Sequence, residues 1–483
     1  MKSVLPNFVP AIPEMFVLVM ACATLMTGLF ATKWKNISYY MVQITLVIAA
    51  WLTWHVFASA DLAKAVYTFH DSFVLDKLAV VLKIFIYLTA FITFLYSRQY
   101  NDDRRIPSNE FYVLGLLSVL GMMILVSSYD LLTLFLGLEL LALPIYAMVA
   151  LQRGKSRCIE AAMKYFVMGA LATGMLLYGM SMIFGATHSL DIAQIAKILS
   201  TTPATQNLIF IFGLVFLMAG IAFKLGAAPF HMWVPDVYDG APTSVTLFIS
   251  TAPKIAAFGL IIRLLVEALP GLHVQWQAVW IVIAILSMAI GNIVAIVQSN
   301  IKRLLAYSSI AHMGYMILGL ACGTKHGNAA ALFYMISYSI MTLGAFGMIT
   351  LMSKAGFEAN DISDFAGLNN RNPWLAFLML VILFSMAGIP PLVGFIAKVG
   401  VLESLIQVHL VWLAVVAILF AIIGAYYYIR VVKVMYFGDV PVENNEPVRF
   451  SADATIAMTI NGLAVLVLGV FPGALFSLSH LAF

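Results

Sequence analysis

The sequence predicts an all-α, polytopic membrane protein with about fourteen transmembrane helices. The chain has 483 residues, of which 63% are hydrophobic and 10% charged, and its mean hydropathy is +1.00. Apolar runs of roughly 17–25 residues, long enough to cross a bilayer, recur along the chain. A soluble domain of this size would need far more polar surface, and no polar stretch exceeds about 40 residues. We therefore expect one membrane domain to fill the chain.

Charge and cysteine content exclude several classes of protein. The net charge is +4, and its basic residues are spread over many loops, which gives no patch for nucleic acid. Cys22, Cys158 and Cys322 lack the spacing of a disulfide framework, a zinc site or an iron–sulfur site. The first apolar run reaches Lys33 and Lys35 only after a full membrane length, which favours a transmembrane helix over a cleaved signal peptide.

The apolar runs, taken in chain order and bounded by charged or turn residues, define the predicted helices. They cover residues 9–31, 37–58, 76–96, 110–128, 130–151, 158–184, 207–240, 243–269, 276–298, 301–322, 327–353, 373–409, 411–437 and 453–479.

Alternate loops are rich in Lys and Arg, which predicts that they lie in the cytoplasm. They contain Lys33 and Lys35; Arg98, Arg104 and Arg105; Arg153, Lys155 and Arg157; Lys302 and Arg303; Lys354 and Arg371; and Arg430, Lys433 and Arg449. The opposite loops hold little beyond Lys64, Lys197 and Lys325, so both termini are expected on the outer side. Residues 236–243 should be cytoplasmic yet carry only two Asp, and we interpret them as a short re-entry made by Pro235, Gly240 and Pro242.

Two of the runs, 207–240 and 373–409, are too long for one straight span, since each would extend roughly 50–55 Å. Helix breakers occur in both: Gly226 and Pro229 in the first, and Gly388, Pro390, Pro391 and Gly394 in the second. Lys224 precedes the first break and Lys398 follows the second. Broken backbone at membrane depth is typical of an ion or substrate pathway. A plain proline kink is the alternative.

Four ionisable residues lie near the middle of apolar runs: Glu139, Lys224, Lys254 and Lys398. A charge at the bilayer centre costs about 2.5–3.5 kcal/mol, so these residues are expected to be functional. Burial destabilises the charged forms and a nearby opposite charge restores them, so a group switched between these surroundings can relay protons. The alternative is a static buried ion pair, although three lysines exceed what one glutamate can neutralise.

Other candidates are weaker. Lys164 is close enough to its helix start to snorkel, so a structural role and a relay role both stay open. His231 follows the first break, where it could pass a proton or cap a half-helix. His312 lies deep in its helix, which favours a functional role. Residues expected to reach or anchor an interface are Lys83, Arg263, Lys302 and Arg303. Quinone reduction stays open, although nothing in the sequence calls for it.

Four strings resemble the antiporter-like membrane subunits of respiratory complex I over nearly the whole chain. They are LFLGLELLALPIYAM around Glu139, GIAFKLGAAPFHMWVPDVYDGAP around Lys224, NIKRLLAYSSIAHMGY around His312 and MAGIPPLVGFIAKVGVL around Lys398. Among three paralogous types, the chain lacks the long lateral helix of the largest. It also has Lys398 where the middle-sized type would be expected to have a glutamate, so the resemblance favours the third type.

The resemblance implies that Glu139 and Lys224 form the first-half pair, that Lys254 lies between them and the centre, and that Lys398 ends the second half. It places Lys164 and His312 on the same hydrophilic axis. It also implies two inverted five-helix repeats, roughly 110–269 and 276–437, flanked by 1–109 and 438–483.

A subunit of this family in a bacterial inner membrane would move protons and hold no cofactor itself. NADH, FMN, iron–sulfur clusters and quinone would belong to partner subunits, and other membrane subunits, including paralogous ones, would be its neighbours. Two alternatives remain at this stage: a subunit of a multi-subunit sodium/proton antiporter, which shares the same strings, and a structural subunit whose charges only hold its neighbours.

Overall fold

The computed structural model describes residues 6–30, 36–59, 65–201, 208–353, 356–439 and 451–483. It is an all-α membrane protein, as predicted. Thirteen helices in these ranges are long and apolar enough to cross a membrane, and the two helices on either side of residues 388–392 make up the predicted broken segment. Asn207 and the loop residues Lys33, Lys35, Lys64, Lys354 and Arg449 lie outside the described residues.

The first half of the chain contains eleven helices, most of them near their predicted bounds. They are α1 (Ile12–Phe30), α2 (Ile37–Ser59), α3 (Lys77–Asp103), α4 (Ser108–Ser127), α5 (Leu131–Val149), α6 (Ser156–Thr187), α7 (Ile192–Thr201), α8 (Leu208–Leu225), α9 (Trp233–Gly240), α10 (Thr243–Ile249) and α11 (Ala252–Ile261). A π-helical turn, Ile262–Glu267, continues α11.

The second half follows with nine helices. They are α12 (His273–Ile296), α13 (Ile301–Ala321), α14 (Lys325–Met352), α15 (Leu368–Arg371), α16 (Pro373–Ala387), α17 (Val393–Gln407), α18 (Val411–Phe437), α19 (Ala452–Val470) and α20 (Gly473–Leu481). The spans formed by α10–α11, α13 and α14 are buried almost all round, whereas only a third of the α18 and α19 spans is buried. The centre of the protein therefore lies around the former group.

Both predicted breaks are confirmed. α8 ends at Leu225 and α9 begins at Trp233, while α16 ends at Ala387 and α17 begins at Val393. Each break starts at a glycine in the left-handed region, Gly226 with φ +70° and Gly388 with φ +89°, a conformation that other residues rarely adopt.

The span predicted over 243–269 is present as Thr243–Glu267, but it is not one continuous helix, because the helix stops at Ile249 and restarts at Ala252. Pro253, next to Lys254, cannot donate a hydrogen bond to the preceding turn, and it occupies the first turn of α11 where that donor is not needed. The side chains of Ser250 and Thr251 donate instead to the carbonyl of Leu247 at 3.0 and 2.9 Å. Lys254 thus lies beside an interruption, as Lys224 and Lys398 do.

Two small elements were not predicted. Strands β1 (Val66–Thr68) and β2 (Phe73–Leu75) form a short antiparallel hairpin. The amphipathic α7 buries Ile192, Ile195 and Leu199 and exposes Lys197. The hairpin is too short, and α7 is too short and too polar on one face, to be found by a search for membrane-length apolar runs.

Two parts of the fold repeat a local hydrogen-bond arrangement. At the start of α5, Leu131 N donates to Leu190 O at 3.0 Å and Ile192 N donates to Tyr129 O at 3.3 Å. At the start of α13, Ile301 N donates to Asn360 O at 2.7 Å and Ile362 N donates to Ser299 O at 3.0 Å. Each donor and each acceptor at the start of α13 lies the same number of residues after the corresponding donor or acceptor at the start of α5.

The packing of α4 against α5 yields a test. A Cβ added at Gly121 would lie 2.2 Å from the Leu141 backbone nitrogen, which cannot move away as a side chain could. We expect Gly121→Ala to lower the free energy of unfolding by about 1–3 kcal/mol. Thermal unfolding in detergent measures this. The control is Gly174→Ala, where no atom lies within 4 Å, and equal unfolding temperatures for the two variants would contradict the packing described.

Candidate functional site

The helix that carries Glu139, α5, packs closely against α4. Besides the contact at Gly121, a Cβ at Gly137 would lie 2.7 Å from the Leu125 backbone nitrogen, so both glycines permit the approach. Asp130 caps α5 by accepting from the backbone N–H groups of Leu132 and Thr133. The Glu139 carboxylate is partly buried, and Oε1 has no hydrogen-bond partner among the described residues.

Lys224 lies in the last turn of α8, immediately before the break. The break is fixed from two sides, because Trp233 Nε1 donates to Phe223 O at 2.9 Å and Ala228 N donates to Ser287 Oγ of α12 at 2.8 Å. Carbonyls at a helix C-terminus favour a nearby cation. His231 lies within the break, and its buried Nδ1 has no partner among the described residues.

Glu139 and Lys224 are close enough to interact electrostatically. Within the described ranges they form no ion pair or direct hydrogen bond with each other. Such a pair can attract by Coulomb interaction while the N–H groups of the ammonium stay available to other partners.

Lys254 lies in the first turn of α11 with 2% of its surface exposed. Its Nζ donates to Ser309 Oγ of α13 and, at 3.4 Å, to Tyr338 OH of α14. Tyr338 OH also donates to Ser309 Oγ at 2.8 Å, and the Tyr338 ring centroid lies 5.2 Å from Nζ. The Tyr238 ring centroid lies 6.0 Å from Nζ, so two hydroxyls and two aromatic rings replace the water that this lysine gives up.

His312, one turn further along α13, bonds a tyrosine at each ring nitrogen. Nδ1 lies 2.7 Å from Tyr334 OH and Nε2 lies 3.1 Å from Tyr428 OH, which also bonds Ser308 Oγ. The His312 ring lies 5.3 Å from that of Tyr338, between centroids. Because a neutral imidazole donates at one nitrogen and accepts at the other, this row can pass a proton from hydroxyl to hydroxyl.

Lys398 lies one turn into α17 and reaches back across the break. Its Nζ donates to Ala387 O at 2.8 Å and to Met386 O at 3.3 Å, both at the end of α16. A Cβ at Gly388 would lie 2.9 Å from Nζ, so the glycine both permits the turn and leaves room for the lysine. The broken backbone thus supplies the acceptors that the buried ammonium needs.

A cavity of about 10 Å³ separates His312 from Lys398. Polar side chains from four helices line it: Asn292, His312, Lys398, Tyr427 and Tyr428. A polar cavity of this size holds about one water molecule. A larger and mostly apolar cavity of about 250 Å³ adjoins Lys398 on the side of α18.

Lys164 belongs to a different cluster, at the end of the bundle where α6, α9 and α13 meet. Its Nζ lies 2.9 Å from both Glu160 and Asp236, and Arg303 pairs with Asp236 at 3.1 Å. Its side chain is 42% exposed. The structure brings it into contact with none of Glu139, Lys224, Lys254 or Lys398.

Three basic residues assigned to an interface are buried instead. Lys83 is fully buried in an ion pair with Glu14 of α1 at 2.5 Å. Arg263 is 1% exposed and pairs with Asp76 and Glu267 at 2.8 and 2.9 Å. Lys302 is 3% exposed, and its Nζ donates to Ala241 O at 3.4 Å. The position of a charge in its own segment does not reveal Glu14, Asp76 or Ala241 as partners, because these come from other parts of the chain.

Glu358, in the loop after α14, was not identified from the sequence. It accepts hydrogen bonds from Tyr100 OH at 2.7 Å, Arg104 Nε at 2.9 Å and Thr243 Oγ1 at 2.6 Å. Burial alone would raise the pKa of this carboxyl, but Lys302, Arg104 and these hydrogen bonds lower it below its ordinary value. Among the described residues, no group of three or more His, Cys, Asp or Glu could hold a metal ion.

Comparisons with known proteins show which family the chain resembles. Residues 128–424 match the family model described as NADH:quinone oxidoreductase/Mrp antiporter, TM. The chain is 68% identical over 483 residues to NADH-quinone oxidoreductase subunit N of Coxiella burnetii, covering 100% of both. It is 54% identical over 476 residues to the subunit N of Thioalkalivibrio sulfidiphilus, covering 98% of both.

Solved structures show the same fold. A chain of respiratory complex I from Thermus thermophilus with bound aureothin has a TM-score of 0.81 and 30% identity, with 96% of this chain and 99% of that chain covered. A chain of the Mrp complex from Dietzia has a TM-score of 0.86 at 19% identity, with 99% and 97% covered, and shows likeness of fold alone.

The contacts of Glu358 predict a pH-dependent stability. The pKa of Glu358 is lower in the folded protein than in the unfolded one. Its contribution to the free energy of unfolding is therefore complete above the unfolded pKa, near 4.3, and is lost as the pH falls through the folded pKa. We expect Glu358→Gln to lower the free energy of unfolding by about 1–3 kcal/mol at pH 7 and by much less near pH 3. Thermal unfolding in detergent across this range measures the difference, with exposed Glu403→Gln as control. The same loss at every pH would contradict this.

Proposed function

This chain belongs to the NADH:quinone oxidoreductase/Mrp antiporter family of membrane proteins, and we propose that it acts as a proton-translocating subunit of a bacterial NADH-quinone oxidoreductase. The names of its relatives support this assignment over the sodium/proton antiporter, because subunit N proteins match over the full length. The likeness to the Mrp complex is one of fold.

The observation that carries the proposal is the central row of side chains from Lys254 to Lys398. Lys254 bonds Ser309 and Tyr338, whose ring adjoins that of His312. A cavity the size of one water molecule then separates His312 from Lys398. Every member can give or accept a proton or a hydrogen bond, and Lys254, Ser309, His312 and Tyr338 lie on the three most buried spans.

We assign roles along this row as follows. Lys224 takes up a proton before its helix break, and Glu139 tunes its proton affinity through the electrostatic contact. Lys254 and His312 pass the proton through the centre, and Lys398 releases it at the second break. His231, with an unpartnered ring nitrogen in the first break, is placed to assist Lys224. Lys164 is a further candidate for the relay, and its ion pairs favour a role at the surface.

Redox chemistry done elsewhere drives these proton steps in our proposal. Partner subunits hold NADH, FMN, the iron–sulfur clusters and quinone, and no redox centre is assigned to this chain. Its neighbours include other membrane subunits of the complex, among them paralogous antiporter-like ones. The names of the relatives support such a complex.

We also propose two inverted repeats, 110–269 and 276–437, flanked by residues 1–109 and 438–483. The matching hydrogen bonds at the starts of α5 and α13 support this division. Gly226 and Gly388 support it too, since each is followed three positions later by a proline. Counting from these glycines, Asp236 is the counterpart of Lys398.

Both termini are proposed to lie on the outer side of the inner membrane. Several loops assigned to the cytoplasm meet in one place, since Arg104 pairs with Glu358 and Arg157 pairs with Asp239. The segment 236–243, which lacks basic residues, lies there too, and Asp236 and Asp239 pair with arginines of the neighbouring loops. Its acidic character therefore fits a cytoplasmic position.

Replacing Lys224 by Ala tests the relay. Removing a positioned proton carrier should lower proton pumping at least about tenfold while the complex still assembles. Pumping is measured as acidification of inverted membrane vesicles on NADH addition, and assembly by native gel. The control is Lys197→Ala, on the exposed face of α7. Assembled complex with normal pumping in Lys224→Ala would remove that residue from the relay.

Purification in mild detergent tests the assignment to a respiratory complex. We expect the chain to co-elute with flavin and iron–sulfur subunits, detected by their visible absorbance and by mass spectrometry. Co-elution with small membrane subunits alone would support the antiporter instead. A chain that pumps normally after replacement of Glu139, Lys224, Lys254 and Lys398 would leave only a structural role.

A further inference from the structure

The helix that carries Lys254 is interrupted on both sides of the lysine. α10 ends at Ile249, α11 runs only from Ala252 to Ile261, and a π-helical turn follows. A short segment between two irregularities is not held in place by a continuous helix. Its position along the membrane normal must come from contacts with other helices.

One helix, α3, contacts this interrupted segment at both of its ends. α3 spans 27 residues and Thr243–Glu267 spans 25, so both are roughly 40 Å long. They run antiparallel, because the end of α3 lies beside the start of α10 and the start of α3 lies beside the π-helical turn. Between the ends, Phe94 stacks on Phe248 with ring centroids 5.7 Å apart, and Gly259 lets Leu82 approach.

At the start of α10, three polar contacts tie it to the end of α3. Ser244 Oγ donates to Asn101 Oδ1 at 2.7 Å, and Thr243 N donates to Tyr100 OH at 3.0 Å. Glu358 joins the two helices, since it accepts from both Tyr100 and Thr243 while pairing with Arg104. Asn101 and Ser244 are fully buried, so losing their contact leaves polar groups without partners.

At the other end, a buried ion pair makes the second contact. Arg263, in the π-helical turn, pairs with Asp76 at 2.8 Å, and Asp76 is also the N-cap of α3, accepting from Ala79 N. Glu267 and the Val126 carbonyl complete the hydrogen bonds of the guanidinium. This end therefore cannot slide along α3 without exposing a buried charge.

We propose that α3 is a membrane-spanning clamp that positions Lys254 against Ser309 and Tyr338. The positioning residues are Tyr100, Asn101 and Glu358 at one end, and Asp76 and Arg263 at the other. A shift of one residue along the helix would turn Lys254 by about 100° away from its hydroxyl partners. This inference rests on the proposed role of Lys254 in the relay. It gives α3 a part in proton transfer although no side chain of α3 carries the proton.

The test removes the clamp at one end and then restores it with a covalent bond. The parent protein has Cys22, Cys158 and Cys322 replaced by Ser. The variant Glu358→Ala, made in this parent, opens the contact between α3 and α10. Asn101→Cys and Ser244→Cys are added to it, so that a disulfide or a short bifunctional thiosulfonate can rejoin the two helix ends. All variants are assayed in the assembled complex in membrane vesicles.

With its two added cysteines reduced, the Glu358→Ala variant is expected to assemble but to move at least about threefold fewer protons per NADH oxidised than the parent. Cross-linking should return this ratio to within twofold of the parent, and it should change nothing in Glu358→Ala without the added cysteines. A role of Glu358 as a proton carrier predicts no recovery, because the cross-link restores no carboxylate. Where Glu358→Ala fails to assemble, Glu358→Gln replaces it.

Three results would overturn the clamp: an unchanged proton ratio in the assembled Glu358 variant, no recovery after confirmed cross-linking, or no cross-link by either route, since the helix ends would then not be in contact. Lys254→Gln, measured beside these variants, distinguishes failure of the clamp from failure of the relay. Normal pumping in Lys254→Gln would refute the role of the lysine itself, whatever the cross-link does.

Discussion

A charge in an apolar span is tolerated only where polar groups replace its water, and this constraint organises the protein. Lys224, Lys254 and Lys398 each lie within a few residues of a helix interruption. At Lys398 the two freed carbonyls of α16 accept its hydrogen bonds directly. At Lys254 the carbonyl freed by the interruption accepts from nearby serine and threonine hydroxyls. The lysine therefore donates to partners from α13 and α14 instead. The interruptions and the buried lysines therefore depend on one another.

The sequence was sufficient for the parts of this arrangement that have local causes. Gly226 with Pro229, and Gly388 with Pro391, indicated two breaks because the segments containing them exceeded one membrane length. Pro253 is a similar signal beside Lys254, but residues 243–269 have the length of one ordinary span, so length gave no reason to divide them. A proline next to a charged residue in an apolar run is thus informative even where the run has normal length.

The partners of the buried charges could not be predicted in this way. Glu14 and Lys83 come from α1 and α3, and Arg104 and Glu358 are separated by most of the chain. A hydropathy analysis measures how deep a charge lies in its own segment. By that measure Lys302, at the start of α13, is expected to anchor its helix at the interface. Its burial arises from α9 and from the loop that carries Glu358, which fold over it from elsewhere in the sequence.

The Glu139–Lys224 pair is held differently from the buried groups at the end of the proposed path. Glu139 and Lys224 interact only through space, whereas His312 and Lys398 are fixed by hydrogen bonds from α14, α16 and α18. Coulomb interactions extend over many ångströms in a dry interior, while a hydrogen bond is lost within about one. A small movement therefore breaks the contacts of His312 and Lys398 while it leaves the Glu139–Lys224 attraction almost unchanged. In the proposed proton path, transfer at His312 and Lys398 therefore depends on where their donors and acceptors lie, whereas the first pair responds mainly to the charge around it.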